Sequence, residues 1–299
     1  MHYGFIGLGN LGGHLAASLL GAGFTLTVHD KDRAAADRLM ALGAAWADAP
    51  EDVAGACAAV ITCLPSPAVS ELVLRRMLET MTPGSTWIEM STLGRDEILR
   101  LAALAAGKGV RTMELPVTGG VHLAARGRIT MLAGGDKDLF ERHRPALAAM
   151  GDKIFHMGPL GSASVIKVIT NMLAFIHLVA DGEALMLARR GGLDLGQAWA
   201  AIKASSGTSF VHETEGQLIL NGSYDIAFTM DLALKDLGFA MDFGREFEVP
   251  LELAALVSRT FARGKAAYGG DAQSTRIVRL LEDAVGTDLR APGFPARLE

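Results

Sequence analysis

Lys167 and Asn171 stand four apart in a stretch that is otherwise strongly apolar: Gly161-Ser162-Ala163-Ser164-Val165-Ile166-Lys167-Val168-Ile169-Thr170-Asn171-Met172, followed by Leu173, Phe175, Ile176, Leu178 and Val179. No proline interrupts the run from Gly161 to Arg190, and Gly191-Gly192 closes it. The spacing predicts one long helix with the lysine and the asparagine on a single face. A helix apolar on every side is expected to be buried between other elements, and lysine is seldom fully buried without a partner. An amine held in an apolar wall has its charged form disfavoured, which suits it to proton transfer near neutral pH. Taken alone, the stretch leaves a second reading open, in which Lys167 reaches solvent along its stem and Asn171 caps something local.

A second group of residues is built for a phosphate. The strand-like run Tyr3-Gly4-Phe5-Ile6 leads into Gly7-Leu8-Gly9-Asn10-Leu11-Gly12. Gly-x-Gly-x-x-Gly counts as a dinucleotide signal when it leaves a strand and opens a helix, as here. Gly7 permits the tight turn, Gly9 lets a pyrophosphate approach the backbone, and Gly12 lets helix and strand pack closely. Free amides at the start of the helix favour the negative charge. The next strand delivers Asp30 at its end, roughly the ~20 residues on at which an acid meets the adenosine ribose hydroxyls. Its charge repels a 2'-phosphate, so the sequence favours NAD; Lys31 and Arg33 are the residues that would accommodate NADP.

These groups need a scaffold that brings strand ends together. Residues 1 to about 158 alternate, with strands expected at Tyr3–Ile6, Phe24–His29, Ala58–Leu64, Thr86–Met90, Val110–Glu114, Ile129–Ala133 and Lys153–Met157. Helices are expected between them at Leu11–Leu20, Ala68–Met81, Arg95–Lys108 and Lys137–Met150. Runs such as Ala59-Val60-Ile61-Thr62-Cys63-Leu64 lack alternation, as strands buried on both faces should. The pattern predicts an α/β fold: a Rossmann-type, doubly wound, mainly parallel sheet with helices on both faces. Ligands of such sheets bind outside the carboxyl ends of the strands. The turns Leu64-Pro65-Ser66-Pro67, Ser91-Thr92 and Pro116-Val117-Thr118-Gly119-Gly120 are therefore all expected at one edge. The glycine pair exposes amides fit to cradle an anion; each of these turns could equally be only a turn or a helix cap.

Composition narrows the class. The chain has 299 residues, 50% of them hydrophobic, and its 28 basic against 33 acidic residues carry a formal charge of -5. That is a globular chain with room for two domains and no basic run to attract nucleic acid. Cys57 and Cys63 lie in or beside a buried strand and read as core thiols in a reducing compartment. No secretory leader is expected from the opening residues, and Lys167, Asn171, His177, Asp181 and Glu183 argue against a membrane span. A cytoplasmic protein is the expectation.

With four motifs in order along nearly its whole length, the chain resembles the β-hydroxyacid dehydrogenase family, which includes 3-hydroxyisobutyrate dehydrogenase, tartronate semialdehyde reductase and the core of 6-phosphogluconate dehydrogenase. The glycine signature continues through Ala16, Leu19 and Ala22-Gly23, with Leu11 where the family usually has Met. The substrate motif resembles Pro116 to Gly120, with Thr118 in place of the usual serine. The catalytic motif resembles Gly158, Gly161 and Lys167 to Asn171, and the late cofactor motif resembles Leu234-Lys235-Asp236-Leu237. The resemblance implies Lys167 as general acid/base on the substrate hydroxyl and Asn171 as its hydrogen-bonding partner. It implies Thr118, Gly119 and Gly120 around a substrate carboxylate or other anionic group. Leu64, Pro65 and Thr92 would line the dinucleotide, and Lys235 would reach the cofactor from the second domain. The imine-reductase branch commonly lacks the lysine, so its presence favours alcohol chemistry. Thr170 replaces the histidine of decarboxylating 6-phosphogluconate dehydrogenases, which sets that activity aside. Around Val121-His122-Leu123-Ala124 and Arg128 the chain departs from its relatives, which leaves the substrate open. His122 reads as an ordinary loop histidine, and Arg126 and Arg128 read as surface charges.

Beyond Gly191-Gly192 only helices are expected: Leu195–Lys203, Val211–Leu220, Leu232–Glu246, Leu251–Arg263 and Ala272–Val285, with an irregular tail from Arg290. His212 and Glu213 read as surface residues of an amphipathic helix. The organisation expected is a dinucleotide domain over 1–160, an interdomain helix over 161–191 and an all-helical domain over 192–299, with the active site in the cleft between domains. The expected activity is NAD-dependent, reversible oxidation of a small 3-hydroxy acid without a metal. The alternatives are an NADPH-dependent semialdehyde reductase and a non-catalytic dinucleotide sensor. The expected partners are a small anionic hydroxy acid and, from the resemblance, other copies of the chain in a homodimer or homotetramer.

Overall fold

Nine strands of the computed structural model, which describes residues 1–298, form one sheet. They are β1 (His2–Ile6), β2 (Thr25–His29), β3 (Ala45–Trp46), β4 (Ala59–Thr62), β5 (Thr86–Glu89), β6 (Arg111–Glu114), β7 (Val117–Thr118), β8 (Thr130–Gly135) and β9 (Lys153–Gly158). Their order is β3-β2-β1-β4-β5-β6-β8-β7, with β9 paired to β8. The first six strands are parallel, β8 runs antiparallel to β6 and β7, and β9 is parallel to β8. All seven strands expected from the sequence are present. β3 and β7 were not foreseen, because two residues carry no periodicity to read.

The sheet is wrapped on both sides. One core holds Tyr3, Phe5, Leu15, Leu19, Val28, Ile61, Ile88, Met113 and Leu147; the other holds Ile6, Val53, Val60, Leu74, Trp87, Ile98 and Leu101. Neighbouring residues of β1, β4 and β5 divide between the two, Phe5 from Ile6 and Ile88 from Trp87. Alternate side chains of a strand point to opposite faces, and both faces are apolar here because both are covered. The short helices Pro50–Ala56 and Val121–Ala125 also went unforeseen. His122 therefore sits on a helical turn, not in a loop.

The long helix spans Ser162–Arg190. The chain divides into two compact units at Lys167 and Val168, inside this helix. In the second unit Phe175, Leu178, Leu185 and Met186 enter a core with Leu195, Val211, Ile219, Leu237, Val257 and Phe261. The helix has the length and composition of a bilayer span, yet these residues pack as those of a core helix do. It is not buried on every side as expected: Ile169, Leu173 and Leu187 are exposed.

The remaining helices are Leu195–Lys203, Phe210–Asn221, Met230–Glu246 and Glu252–Tyr268, followed by a 3-10 turn at Ser274–Val278 and a helix at Arg279–Val285. The single helix expected over Ala272–Val285 is broken because its first residues bond elsewhere. Ser274 N–H donates to Phe228 O at 2.8 Å and the Thr275 hydroxyl donates to Tyr224 O at 2.5 Å.

Candidate active site

Register puts the expected turns at one edge of the sheet. Ile6 pairs with both His29 and Thr62, Thr62 with Glu89, and Glu89 with Glu114. The last residues of β2, β1, β4, β5 and β6 thus form one rung. Gly7, Asp30, Leu64, Ser91-Thr92 and Pro116 all leave the sheet just beyond it. Backbone bonds hold the turns level: Gly7 N–H to His29 O at 3.0 Å, Cys63 N–H to Ile6 O at 2.9 Å and Leu115 N–H to Glu89 O at 2.7 Å.

The glycine turn fits a dinucleotide, and its three glycines are there for different reasons. Gly7 has φ +96°, and a Cβ there would strike Cys63 O; a Cβ at Gly12 would strike Gly7 O. Folding requires glycine at both. A Cβ at Gly9 would meet no atom within 4 Å, so protein packing does not demand glycine there. Room for a phosphate is the reason that remains. Leu8 N–H donates to Asp30 Oδ2 at 2.6 Å, and Asp32 N–H donates to Oδ1 at 2.9 Å. Asp30 is thereby locked to the turn. A groove of about 330 Å³ beside it is lined by Leu8, Gly9, Asn10, Gly13, His14, Ala35, Arg38 and Leu39. Arg33, by contrast, lies over the Trp46 ring and 4.0 Å from Asp48. Arg38, which the sequence reading passed over, lines the groove beside the turn.

The loops after β4 and β5 are tied through Ser91. Leu64 N–H donates to Ser91 Oγ at 2.7 Å, and Ser91 N–H donates to Glu89 Oε1 at 2.7 Å. The Thr62 hydroxyl donates to Glu89 Oε2 at 3.1 Å. Burial raises the pKa of Glu89 against these hydrogen bonds. Burial and the charge of Glu89 push the Cys63 thiol up to about 12, so it is a poor nucleophile.

After β6, Thr118 pairs with Thr130 across β7 and β8. Gly119 and Gly120 have φ of +120° and +85°, which only glycine adopts without strain. Leu123 and the His122 ring close over the pair, and the His122 pKa is lowered by burial and then by Arg126. Arg126 is exposed. Arg128 pairs on the surface with Asp152 at 3.2 Å.

Glu114, the last residue of β6, is an acid the sequence reading missed. It is 1% exposed, and it meets the start of the long helix. Oε1 accepts from Gly161 N–H at 2.6 Å and Ala163 N–H at 3.0 Å. Oε2 accepts from Ser164 N–H at 3.0 Å and the Ser164 hydroxyl at 2.5 Å. Burial raises its pKa, and these donors oppose the rise. One turn further along, Lys167 is 8% exposed.

In the second unit, Asn171 Nδ2–H donates to Asp236 Oδ2 at 2.6 Å. The carboxylate only accepts, so the amide orientation is determined. Lys235 Nζ stands 3.0 Å from Asp236 Oδ1 and 5.3 Å from the Phe239 ring centre. Asp236 is 1% exposed and links the two expected site residues. Glu89, Glu114 and Asp236 share one sequence signal, a lone acid in an otherwise apolar run or face.

His212 corrects a second expectation. It is buried at 1% exposure, with Nδ1 2.5 Å from Asp181 Oδ1 and Nε2 2.9 Å from Trp199 O. Both neighbours are able to accept, so either ring nitrogen is placed to donate when protonated. Burial works to lower its pKa, and the Asp181 carboxylate, the Trp199 carbonyl and the charge of Glu213 together raise it.

Comparison with known proteins agrees with this geometry. The family model for the NAD binding domain of 6-phosphogluconate dehydrogenase matches residues 2–158, and that for NAD-binding of NADP-dependent 3-hydroxyisobutyrate dehydrogenase matches residues 161–281. The chain is 31% identical over 290 residues to 2-(hydroxymethyl)glutarate dehydrogenase of Eubacterium barkeri, covering 96% of each chain. It is 34% identical over 248 residues to NAD-dependent L-serine dehydrogenase of Pseudomonas aeruginosa, covering 80% of this chain and 83% of that one. The structure of 3-hydroxyisobutyrate dehydrogenase of Mycobacterium tuberculosis with L-serine matches with a TM-score of 0.85 at 28% identity, covering 94% of this chain and 98% of that one.

Proposed function

Because the chain belongs to the β-hydroxyacid dehydrogenase family and is an NAD(P)-dependent oxidoreductase acting on a CH–OH group, we propose that it reversibly oxidises a small 3-hydroxy acid, with Lys167 as general acid/base. The observation that carries this reading is a lysine 8% exposed, one helical turn from an asparagine whose amide is held by a buried carboxylate. NAD(P) supplies the acceptor for the hydride when bound. Gly7 to Gly12 would receive its pyrophosphate and Asp30 its ribose hydroxyls, while Leu64, Pro65 and Thr92 would line the remainder.

Oxidation takes a proton from the substrate hydroxyl and a hydride from the carbon bearing it. The neutral amine of Lys167 takes the proton, and the ammonium returns it in the reverse direction. Asn171 hydrogen-bonds the same oxygen and orients it. Thr118, Gly119 and Gly120 meet the substrate's anionic group, a role consistent with the small hydroxy acids named for the relatives.

The test is Lys167→Met, assayed by nicotinamide absorbance with a panel of 3-hydroxy acids that includes 3-hydroxyisobutyrate and L-serine. Cofactor binding is expected to stay intact, while turnover falls by at least ~10²-fold, as for a lost acid/base group. Near-normal turnover refutes the role of Lys167. No turnover of any 3-hydroxy acid by the unmodified protein refutes the substrate class.

A further inference from the structure

We propose that Glu114 is a positioning residue for the general acid/base, setting the rotation and axial position of the helical turn that carries Lys167. This inference rests on the acid/base reading of Lys167. The first amides of a helix have no partner within it, and a side chain from the adjoining residues usually satisfies one of them. Here Ser162 N–H donates to Pro159 O at 3.1 Å. The amides of Gly161, Ala163 and Ser164 all go to one carboxylate from the sheet, which takes the Ser164 hydroxyl as well. Each carboxylate oxygen accepts two bonds. A cap through a single oxygen leaves the helix free to turn about that contact, whereas two oxygens bonded on both sides do not.

The carboxylate is itself held. Glu114 ends β6 in register with Glu89, on the strand-end rung that also launches the Ser91-Thr92 turn. Gly134 of β8 lies against it so closely that a Cβ there would overlap Oε1. The helix start is thus referenced to the same edge of the sheet as the dinucleotide turns. Lys167 lies three residues beyond Ser164, about 4.5 Å along the axis. A rotation of ~10° moves a group ~6 Å from the axis by about 1 Å. A displacement of that size can cost ~10²-fold in rate.

The experiment uses the full chain with 3-hydroxyisobutyrate and L-serine as probes. Glu114→Gln keeps one acceptor oxygen but turns an NH₂ group toward donors. NADH affinity, read by fluorescence, and the KM of the hydroxy acid are expected to stay within about twofold, while kcat falls at least ~10-fold. In a Lys167→Met background the same substitution is expected to change the residual rate by less than about twofold, because residues acting as one unit do not add. A merely structural role would lower both backgrounds equally. Near-normal kcat in Glu114→Gln, or an equal loss in both backgrounds, overturns the proposal. If Glu114→Gln does not fold, Ser164→Ala removes only the hydroxyl donor. A kcat reduced by about threefold in the native background alone then supports the proposal, and an unchanged kcat overturns it. Near-normal turnover of Lys167→Met removes the acid/base reading itself. Normal Glu114→Gln beside an inactive Lys167→Met removes this inference alone.

Discussion

Replacing Asp236 with alanine separates a carboxylate that orients Asn171 from one that merely fills space. Asp236 is 1% exposed, accepts from Asn171 Nδ2–H at 2.6 Å and pairs with Lys235 at 3.0 Å. A hydrogen bond to a charged group is worth about 1.5–3 kcal/mol. If Asn171 needs that bond to hold the substrate oxygen in the transition state, kcat/KM falls roughly 10- to 150-fold, at ~1.36 kcal/mol per decade. Stability also falls, because Lys235 loses the buried carboxylate 3.0 Å from its ammonium. A drop in Tm on the order of 5 °C is expected. Asp236→Asn serves as the control, since its carbonyl oxygen still accepts from Asn171 while the charge opposite Lys235 is gone. Steady-state kinetics and thermal unfolding of both variants decide the matter. The aspartate-to-asparagine change should retain most of kcat/KM, and the alanine variant should not. If Asp236→Ala stays within about twofold of the unmodified protein, or both variants lose rate equally, Asn171 is not oriented by this bond and the reasoning fails.

Two further predictions concern the glycine turn and the helical unit. Gly9→Ala should leave Tm within about 1 °C and weaken NADH binding at least ~10-fold, whereas Gly12→Ala should cost stability by about 1–3 kcal/mol through overpacking against Gly7 O; titration and thermal melts compare them, and equal effects on the two properties would count against the separate roles. Burial and the charge of Asp181 raise the pKa of Glu215 to about 8, and that of His212 is also raised. Both groups bind protons more tightly folded than unfolded. Glu215 therefore contributes stability that is present below the unfolded carboxylate range and lost up to pH ~8, at about 1.4 kcal/mol per pH unit. His212 contributes below its unfolded pKa and loses its share as pH rises through the higher folded value. Stability should thus fall between pH 5 and 8, and Glu215→Gln should flatten the decline. An unchanged pH slope in that variant would refute the assignment to Glu215.

Motifs whose meaning is local were legible in the chain itself. The turn from Gly7 to Gly12 is recognisable because a glycine pattern between a strand and a helix follows from backbone geometry. A central strand such as β4, with all four residues buried, is recognisable because burial on both faces leaves an unbroken apolar run. The helix from Ser162 to Arg190 follows from a long apolar stretch without proline, and the oddity of Lys167 within it follows from composition alone. Other features depend on residues far apart in sequence. Glu114 reaches helix amides nearly fifty residues away, His212 meets Asp181 thirty-one residues before it, and Asp236 meets Asn171 across sixty-five. Periodicity marks those acids as misplaced, or the histidine as a surface residue, but names no partner. Residue type and spacing determine which elements form and which groups are capable of chemistry. Which buried charge answers which donor was settled only when the folded chain closed those loops, because desolvation and hydrogen bonding act through space.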